Sequence, residues 1–303
     1  MYHNYSYKDA LSASEKMRWT IQDVIGGKKK LDFTKPFLPE SLARVEPLSF
    51  LTPREKLLLN QIRGHTYLTM FGTVEEFILP FVIDTARPKE QDDDYRVRAL
   101  LAFAGEEAKH IQLFKEFREE FKKGFGVPCE VIGPPSAIAA AVLAHHPLAV
   151  AILTLHVEWF VQRHYIDSVR NNGELDPQFK SLLKFHWIDE AQHTKLDTLM
   201  IEAMSQKYSR DEISKALDEY LEIGVFLDQG LAQQVRFDLD SFTRATGRVL
   251  SEEETKEFEQ VQLQANRWTY IGSGMNHPNF LQTIHFLSPE WKEKLEKLAP
   301  SFC

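Results

Sequence analysis

Glu106-Glu107-Ala108-Lys109-His110 and Asp189-Glu190-Ala191-Gln192-His193 are one signature written twice, 83 residues apart (190 − 107). Each copy follows a lone glutamate by 32 residues: Glu75 before Glu107 and Glu158 before Glu190 (107 − 75, 190 − 158). Glutamate and histidine three apart project from one helix face. Four inward-facing helices can therefore gather four carboxylates and two imidazoles around a dinuclear metal centre. A single E-x-x-H is weak evidence, because Glu and His often pair on helix surfaces. A duplicated hairpin with incidental surface charges is the competing reading, and the joint spacing of all six residues counts against it.

The repeat also chooses between neighbours. Val74-Glu75-Glu76-Phe77 aligns with Val157-Glu158-Trp159-Phe160, setting Glu75 opposite a ligand and Glu76 opposite a tryptophan. Ile83-Asp84-Thr85 against Ile166-Asp167-Ser168 keeps that register. His186 departs from the symmetry: it stands where the first half has Phe103, and with Glu190 and His193 it forms an i, i+4, i+7 stripe. A core histidine bonded to a backbone carbonyl is the plainer alternative; its place one turn from two ligands favours coordination. Glu106 and Asp189 precede their ligand glutamates and are expected to accept the free imidazole N–H of the opposite half's histidine, fixing its tautomer, with solvated surface acids as the alternative. Trp159, Trp187, Tyr67 and Tyr165 read as core aromatics, and Asp84, Asp167, Arg87 and Arg170 as helix-end charges.

Around these motifs the chain reads as all-α, since no strand-like alternation persists. We expect a single domain comprising a lead-in over 1–50, a four-helix metal-binding bundle over 51–206 and additional helices over 207–303. Thr52 reads as an N-cap with Pro53 at the first helical position, opening a helix to about Ala86, before Pro88. A second helix spans roughly 95–123 and stops near Gly124. A third runs from Pro147 to near Asn171-Asn172-Gly173, and a fourth from Asp176-Pro177 to about Gln206. The stretch from Gly124 to Pro147 is long enough for a crossover. Beyond Arg210, helices are expected over 211–244, 251–271 and 289–298, with Asn276-His277-Pro278-Asn279 as a turn.

A net charge of −8 with a pI near 5.8 argues against a nucleic-acid partner, which calls for clustered Lys and Arg. Lys28-Lys29-Lys30, beside Gly26 and Gly27, reads as a solvated turn. Two cysteines, Cys129 and Cys303, without C-x-x-C spacing exclude rubredoxin-type iron and cysteine-bound zinc and fit a reducing compartment. Met1 through Ala10 lacks the apolar run of a signal peptide. The apolar stretch from Ala137 to Leu155 is broken by His145, His146 and Pro147, so no membrane span is expected and a cytoplasmic protein is.

On these motifs the chain resembles the ferritin-like diiron carboxylate proteins, and His186 makes it most similar to their p-aminobenzoate N-oxygenase group, marked by a histidine four residues before the last E-x-x-H. The resemblance covers about 55–205. It implies Glu75, Glu107, His110, Glu158, His186, Glu190 and His193 as metal ligands, with Glu107 and Glu190 bridging. It further implies two iron ions, O₂ as co-substrate, and oxygenation of a small organic substrate by N-oxygenation or hydroxylation. Hard carboxylates with imidazoles suit Fe(II), and Mn(II) also fits. With no G-x-G-x-x-G for a flavin or nicotinamide, an external electron donor of the ferredoxin or flavoprotein reductase type is expected. A homodimer is compatible with this reading.

Two other functions compete. Acyl-carrier-protein desaturases resemble the same E, E-x-x-H, E, E-x-x-H order but lack a histidine at the position of His186. Ferroxidase or iron-handling proteins would not need roughly a hundred residues beyond the bundle, which are expected to add a lid or pocket wall. A cavity beside the metals separates the cases: an apolar tunnel favours an acyl chain, a short polar cavity an amine or acid, and no cavity iron handling.

Overall fold

The computed structural model describes residues 2–87 and 93–303. Its helices, in chain order, are α1 (Tyr7–Ser14), α2 (Ile21–Val24), α3 (Glu40–Ala43), α4 (Pro53–Thr85), α5 (Arg96–Phe125), α6 (Pro135–Leu143), α7 (Pro147–His164), α8 (Pro177–Ser205), α9 (Arg210–Thr246), α10 (Glu252–Arg267), α11 (Ser273–Met275), α12 (Pro278–Leu287) and α13 (Pro289–Leu298). Two single-turn π segments, Tyr165–Val169 and Trp268–Gly272, continue α7 and α10. There is no strand among the described residues, so the fold is all-α.

Local chemistry sets the ends of the bundle helices. Thr52 Oγ1 accepts from the backbone N–H of Glu55, whose carboxylate accepts in return from Thr52 N, and Pro53 occupies the first turn of α4. Asp176 caps α8 by accepting from Phe179 N at 2.6 Å, and its other oxygen accepts from Asp32 N at 2.8 Å, tying the lead-in to the bundle. α5 runs past the expected stop at Gly124. That glycine is helical and packed under Phe33, whose ring lies 2.1 Å from where a Cβ would stand, whereas Gly126 has the positive φ of 77° that ends the helix. Pro88, expected to follow α4, lies outside the described residues.

α4 packs along α5 and α7 along α8, and the α5–α8 contact closes the four-helix bundle. The connection between its halves, expected as a crossover, contains the helix α6. α12 is likewise new: Pro278 occupies its first turn, with His277 accepting from Asn279 N. The turn expected at 276–279 is thus a helix start. α1 lies against α5 and α8, and α9 against α4 and α7. α4 is the one helix among the described residues long and apolar enough to span a bilayer, and 67% of its apolar window is buried inside the fold.

Candidate metal centre

All four bundle helices meet at one buried cluster: Glu75 from α4, Glu107 and His110 from α5, Glu158 from α7, and His186, Glu190 and His193 from α8, each at most 2% exposed. Their donor atoms form two groups, each within 4.8 Å: Glu75, His110, His186 and Glu190, and Glu107, Glu158, Glu190 and His193. Glu190 belongs to both. Its Oε1 is 2.5 Å from His186 Nε2 and 3.3 Å from His110 Nδ1, while its Oε2 is 2.6 Å from His193 Nδ1. Glu107 is divided in the same way, with Oε2 3.5 Å from His110 Nδ1 and Oε1 2.8 Å from His193 Nδ1. Each of these carboxylates turns one oxygen towards His110 and the other towards His193.

Many of these contacts are not hydrogen bonds. Glu75 Oε2, both oxygens of Glu107, His110 Nδ1, Glu158 Oε2 and both His186 nitrogens are buried without an aligned partner. Buried polar atoms normally find one, and leaving them orphaned is costly. Here they converge on a common interior space. The four buried carboxylates carry a charge that two divalent cations would offset, and Glu/His donors suit Fe(II) or Mn(II), so the residues fit such a pair of ions.

Without ions, protons must do the compensating. Burial and the adjacent Glu190 charge push Glu158 well above the usual carboxylate range. Burial opposes charge on His110, but Asp189, Glu107 and Glu190 outweigh it and lift the imidazole to about 9. His193 is raised well above its ordinary value in the same way, mainly by Glu190 and Glu107 against burial.

The far side of each E-x-x-H histidine is held across the bundle. His193 Nε2 is 2.9 Å from Glu106 Oε2, and His110 Nε2 is 3.2 Å from Asp189 Oδ2. These contacts leave Nδ1 of both rings facing the cluster. The lead-in adds partners that motif spacing could not reveal: Ser14 Oγ donates to Glu106 at 3.3 Å, and Trp19 Nε1 donates to Asp189 at 3.0 Å. Lys109 Nζ lies 2.7 Å from the same Asp189 carboxylate and over the Trp19 ring. Burial is outweighed there by His110 and Lys109, which hold Asp189 down to about 2.

His186 is wedged edge-on between Phe71 and Phe114, with ring centroids at 5.2 and 5.1 Å, and has no backbone partner. Phe103, at the matching position of the first half, stacks on His193 at 3.9 Å. Glu76 is exposed. Asp84 pairs with Arg87 at 2.6 Å on the surface. Asp197, one turn past His193, was not anticipated: it is fully buried, neither oxygen has a partner, and burial drives its carboxyl well above the ordinary range. Its counterpart 83 residues earlier is Phe114, so the repeat concealed it.

A cavity of roughly 90 Å³ lies among α4, α6, α7 and α9, lined almost wholly by apolar groups. Met70, Val74, Val157 and Phe160 form its bundle side, and Phe226 of α9 and Tyr270 its outer side. Val74 and Val157 are the sequence neighbours of Glu75 and Glu158, so the cavity lies at the height of the cluster on α4 and α7.

No protein-family model and no curated protein matches the chain. Solved structures similar to it include variants of an R2-like ligand-binding oxidase. One, with an aerobically reconstituted Fe/Fe cofactor, is 14% identical over 87% of this chain and 92% of its own, with a TM-score of 0.48. Another, with a Mn/Fe cofactor, is 14% identical over 89% and 97%, with a TM-score of 0.45.

Proposed function

We propose that the protein is a non-haem dinuclear metal oxidase of the O₂-dependent mono-oxygenase type, acting on a small apolar organic substrate. The observation that carries this reading is the convergence of seven buried Glu and His side chains in two groups that share Glu190, five of which, Glu75, Glu107, His110, Glu158 and His186, leave donor atoms without a hydrogen-bond partner. Glu75, Glu107, His110, Glu158, His186, Glu190 and His193 would hold two iron ions, or manganese in place of iron. Bound there, the ions would supply the reduction of O₂ and the oxidising power. Glu106 and Asp189 orient His193 and His110 through the ring nitrogens that face away from the cluster. His186 would give one ion a further nitrogen donor, the feature that likens the chain to the N-oxygenase group.

The cavity supports the substrate class. Its walls hold an apolar group by exclusion of water and offer no charged side chain to anchor an acid or amine. That favours a hydrocarbon chain or ring over a p-aminobenzoate-like acid, and it keeps acyl-chain desaturation as the second reading. Reducing equivalents would come from an external ferredoxin or flavoprotein reductase, in the cytoplasm.

The test is to load the protein with Fe(II), measure metal per chain, and follow ¹⁸O₂ consumption with a reductant and a panel of medium-length fatty acids, alkanes and alkylbenzenes. Two metals per chain and an ¹⁸O-labelled alcohol support the oxygenase reading. A double bond without ¹⁸O selects the desaturase. Fewer than two metals, or no O₂ consumption, overturns both.

A further inference from the structure

Tyr67 and His164 form a buried pair that none of these roles uses. Tyr67 is 1% exposed and stands eight residues before Glu75 on α4, about 12 Å along the axis at 1.5 Å per residue. Its ring is 4.4 Å from Phe71, and the Phe71 ring is 5.2 Å from His186. An aromatic column thus runs from the phenol to an imidazole of the cluster.

The hydrogen bonds fix the direction of the phenol proton. Tyr67 Oη is 3.2 Å from His164 Nδ1, His164 Nε2 is 2.9 Å from Ser273 Oγ, and Ser273 Oγ donates to the Thr269 carbonyl at 3.1 Å. A carbonyl only accepts, so the single Ser273 hydroxyl proton is committed to Thr269. Ser273 Oγ must then accept from His164 Nε2–H, which leaves Nδ1 unprotonated and makes Tyr67 the donor to it. Burial, with the positive charge of Arg163 beside it, holds His164 down to about 3, so the acceptor is neutral. Burial also raises the phenol well above its ordinary value, so it does not ionise by itself.

We propose that Tyr67 is an internal one-electron donor to the dinuclear centre and that His164 is its proton acceptor. This rests on the reading of the Glu/His cluster as a dinuclear centre oxidised by O₂. The Tyr67 O–H bond breaks and its proton moves to His164 Nδ1, giving an imidazolium that keeps its Nε2–H bond to Ser273. One electron leaves the phenol through Phe71 and His186 and lowers one oxidised metal ion by one unit, and a neutral phenoxyl radical stays on Tyr67. An electron from the external donor and the proton held by His164 restore the phenol. Tyr270, which lines the cavity, has its ring 6.2 Å from Tyr67. Tyr67 therefore stands between Tyr270 of the cavity wall and Phe71, which touches His186, placed to reduce the centre when no substrate is bound.

The test uses metal-loaded full-length protein reacted with O₂ without substrate, frozen and examined by electron paramagnetic resonance, with a parallel sample carrying ring-deuterated tyrosine. We expect an organic radical whose hyperfine pattern narrows on deuteration. It should fall at least tenfold in Tyr67→Phe with metal content unchanged, drop in yield in His164→Gln, and persist in Tyr270→Phe. No radical in a sample whose metals O₂ has oxidised, no narrowing on deuteration, or a radical surviving in Tyr67→Phe overturns the proposal and leaves the oxidase reading standing. The isotopic comparison needs no variant to fold. Metal content below two per chain, or ions that O₂ does not oxidise, overturns both.

Discussion

Glu75 and Glu76 are consecutive on α4 and occupy opposite environments: Glu75 is 2% exposed with Oε1 3.4 Å from His186 Nε2, while Glu76 is exposed, in the field of Arg118. One residue is a rotation of about 100° on a helix, enough to separate interior from solvent. Glu75→Ala should lower bound metal from two per chain to one or fewer, and Glu76→Ala should leave it at two. Elemental analysis of both variants after iron loading decides; metal loss confined to Glu76→Ala would sink the assignment of Glu75 as a ligand.

The metal-free protein should lose stability as pH rises from 6.5 towards 9. His110 is lifted to about 9 in the fold against 6.5 unfolded, so its contribution is complete below 6.5 and vanishes as pH climbs through 9. Glu158, raised by burial and Glu190, acts in the same direction because the folded state must give up a proton it prefers to keep. His65, His156, His164 and His277, all lowered by burial, act only on the acid side of 6.5. Tm of the apoprotein should therefore fall across this window, and metal loading should flatten the profile. An apoprotein Tm independent of pH from 6.5 to 9 would contradict protonic compensation among His110, Glu158 and their neighbours.

His186→Phe places in the second half the residue that the first half carries at the matching position. Phe71 and Phe114 present aromatic faces to this position and a phenyl ring leaves no buried polar atom, so the fold should survive with Tm within a few degrees. The optical spectrum of the diferrous protein mixed with O₂ should change in shape and lifetime. Identical spectra and metal content in variant and wild type would remove His186 from the ligand set.

Gly274 brings α11 so close to α7 that an added Cβ would lie 2.5 Å from His156 Cδ2. The His156 ring cannot swing aside: Nδ1 is 2.6 Å from Tyr220 Oη and Nε2 is 3.2 Å from the Tyr270 carbonyl. Gly274→Ala should cost about 1–3 kcal/mol, as overpacking of a tight core does, read as a lowered urea midpoint with the slope unchanged. A midpoint within error of wild type would show that α11 is free to move off α7.

The sequence made the four bundle helices legible because their ends carry side-chain chemistry, Thr52-Pro53 and Asp176-Pro177 above all, and because the 83-residue repeat sets their mutual register. It brought seven Glu and His residues into one list, and the structure brings those seven into one place. What it hid has physical causes. α6 is a short apolar helix with no polar cap of its own, so Pro135–Leu143 reads like connecting chain. Pro278 can end a helix or begin one, and only the acceptor role of His277 decides. Trp19 and Ser14 lie in an aperiodic lead-in, where nothing local announces that they touch Asp189 and Glu106. Asp197 did carry a signal, extending the 186, 190, 193 stripe by one more turn, but a search keyed to the repeat passes over a residue whose counterpart is phenylalanine.

The wall that α9 and Tyr270 place across the cavity divides labour along the chain. Every cluster residue lies between 75 and 193, whereas Ile223, Phe226, Leu227, Gly230 and Tyr270, beyond 210, join Ile132, Ile138 and Val142 in the cavity wall outside the bundle. On the proposed function, substitutions in the later stretch would reshape what the protein accepts while leaving the donor set intact. Inheritance can then alter selectivity and reactivity independently: a lineage keeping 75–193 and drifting at Ile223, Phe226, Leu227 and Gly230 would exchange one substrate for another without relearning how to hold its ions.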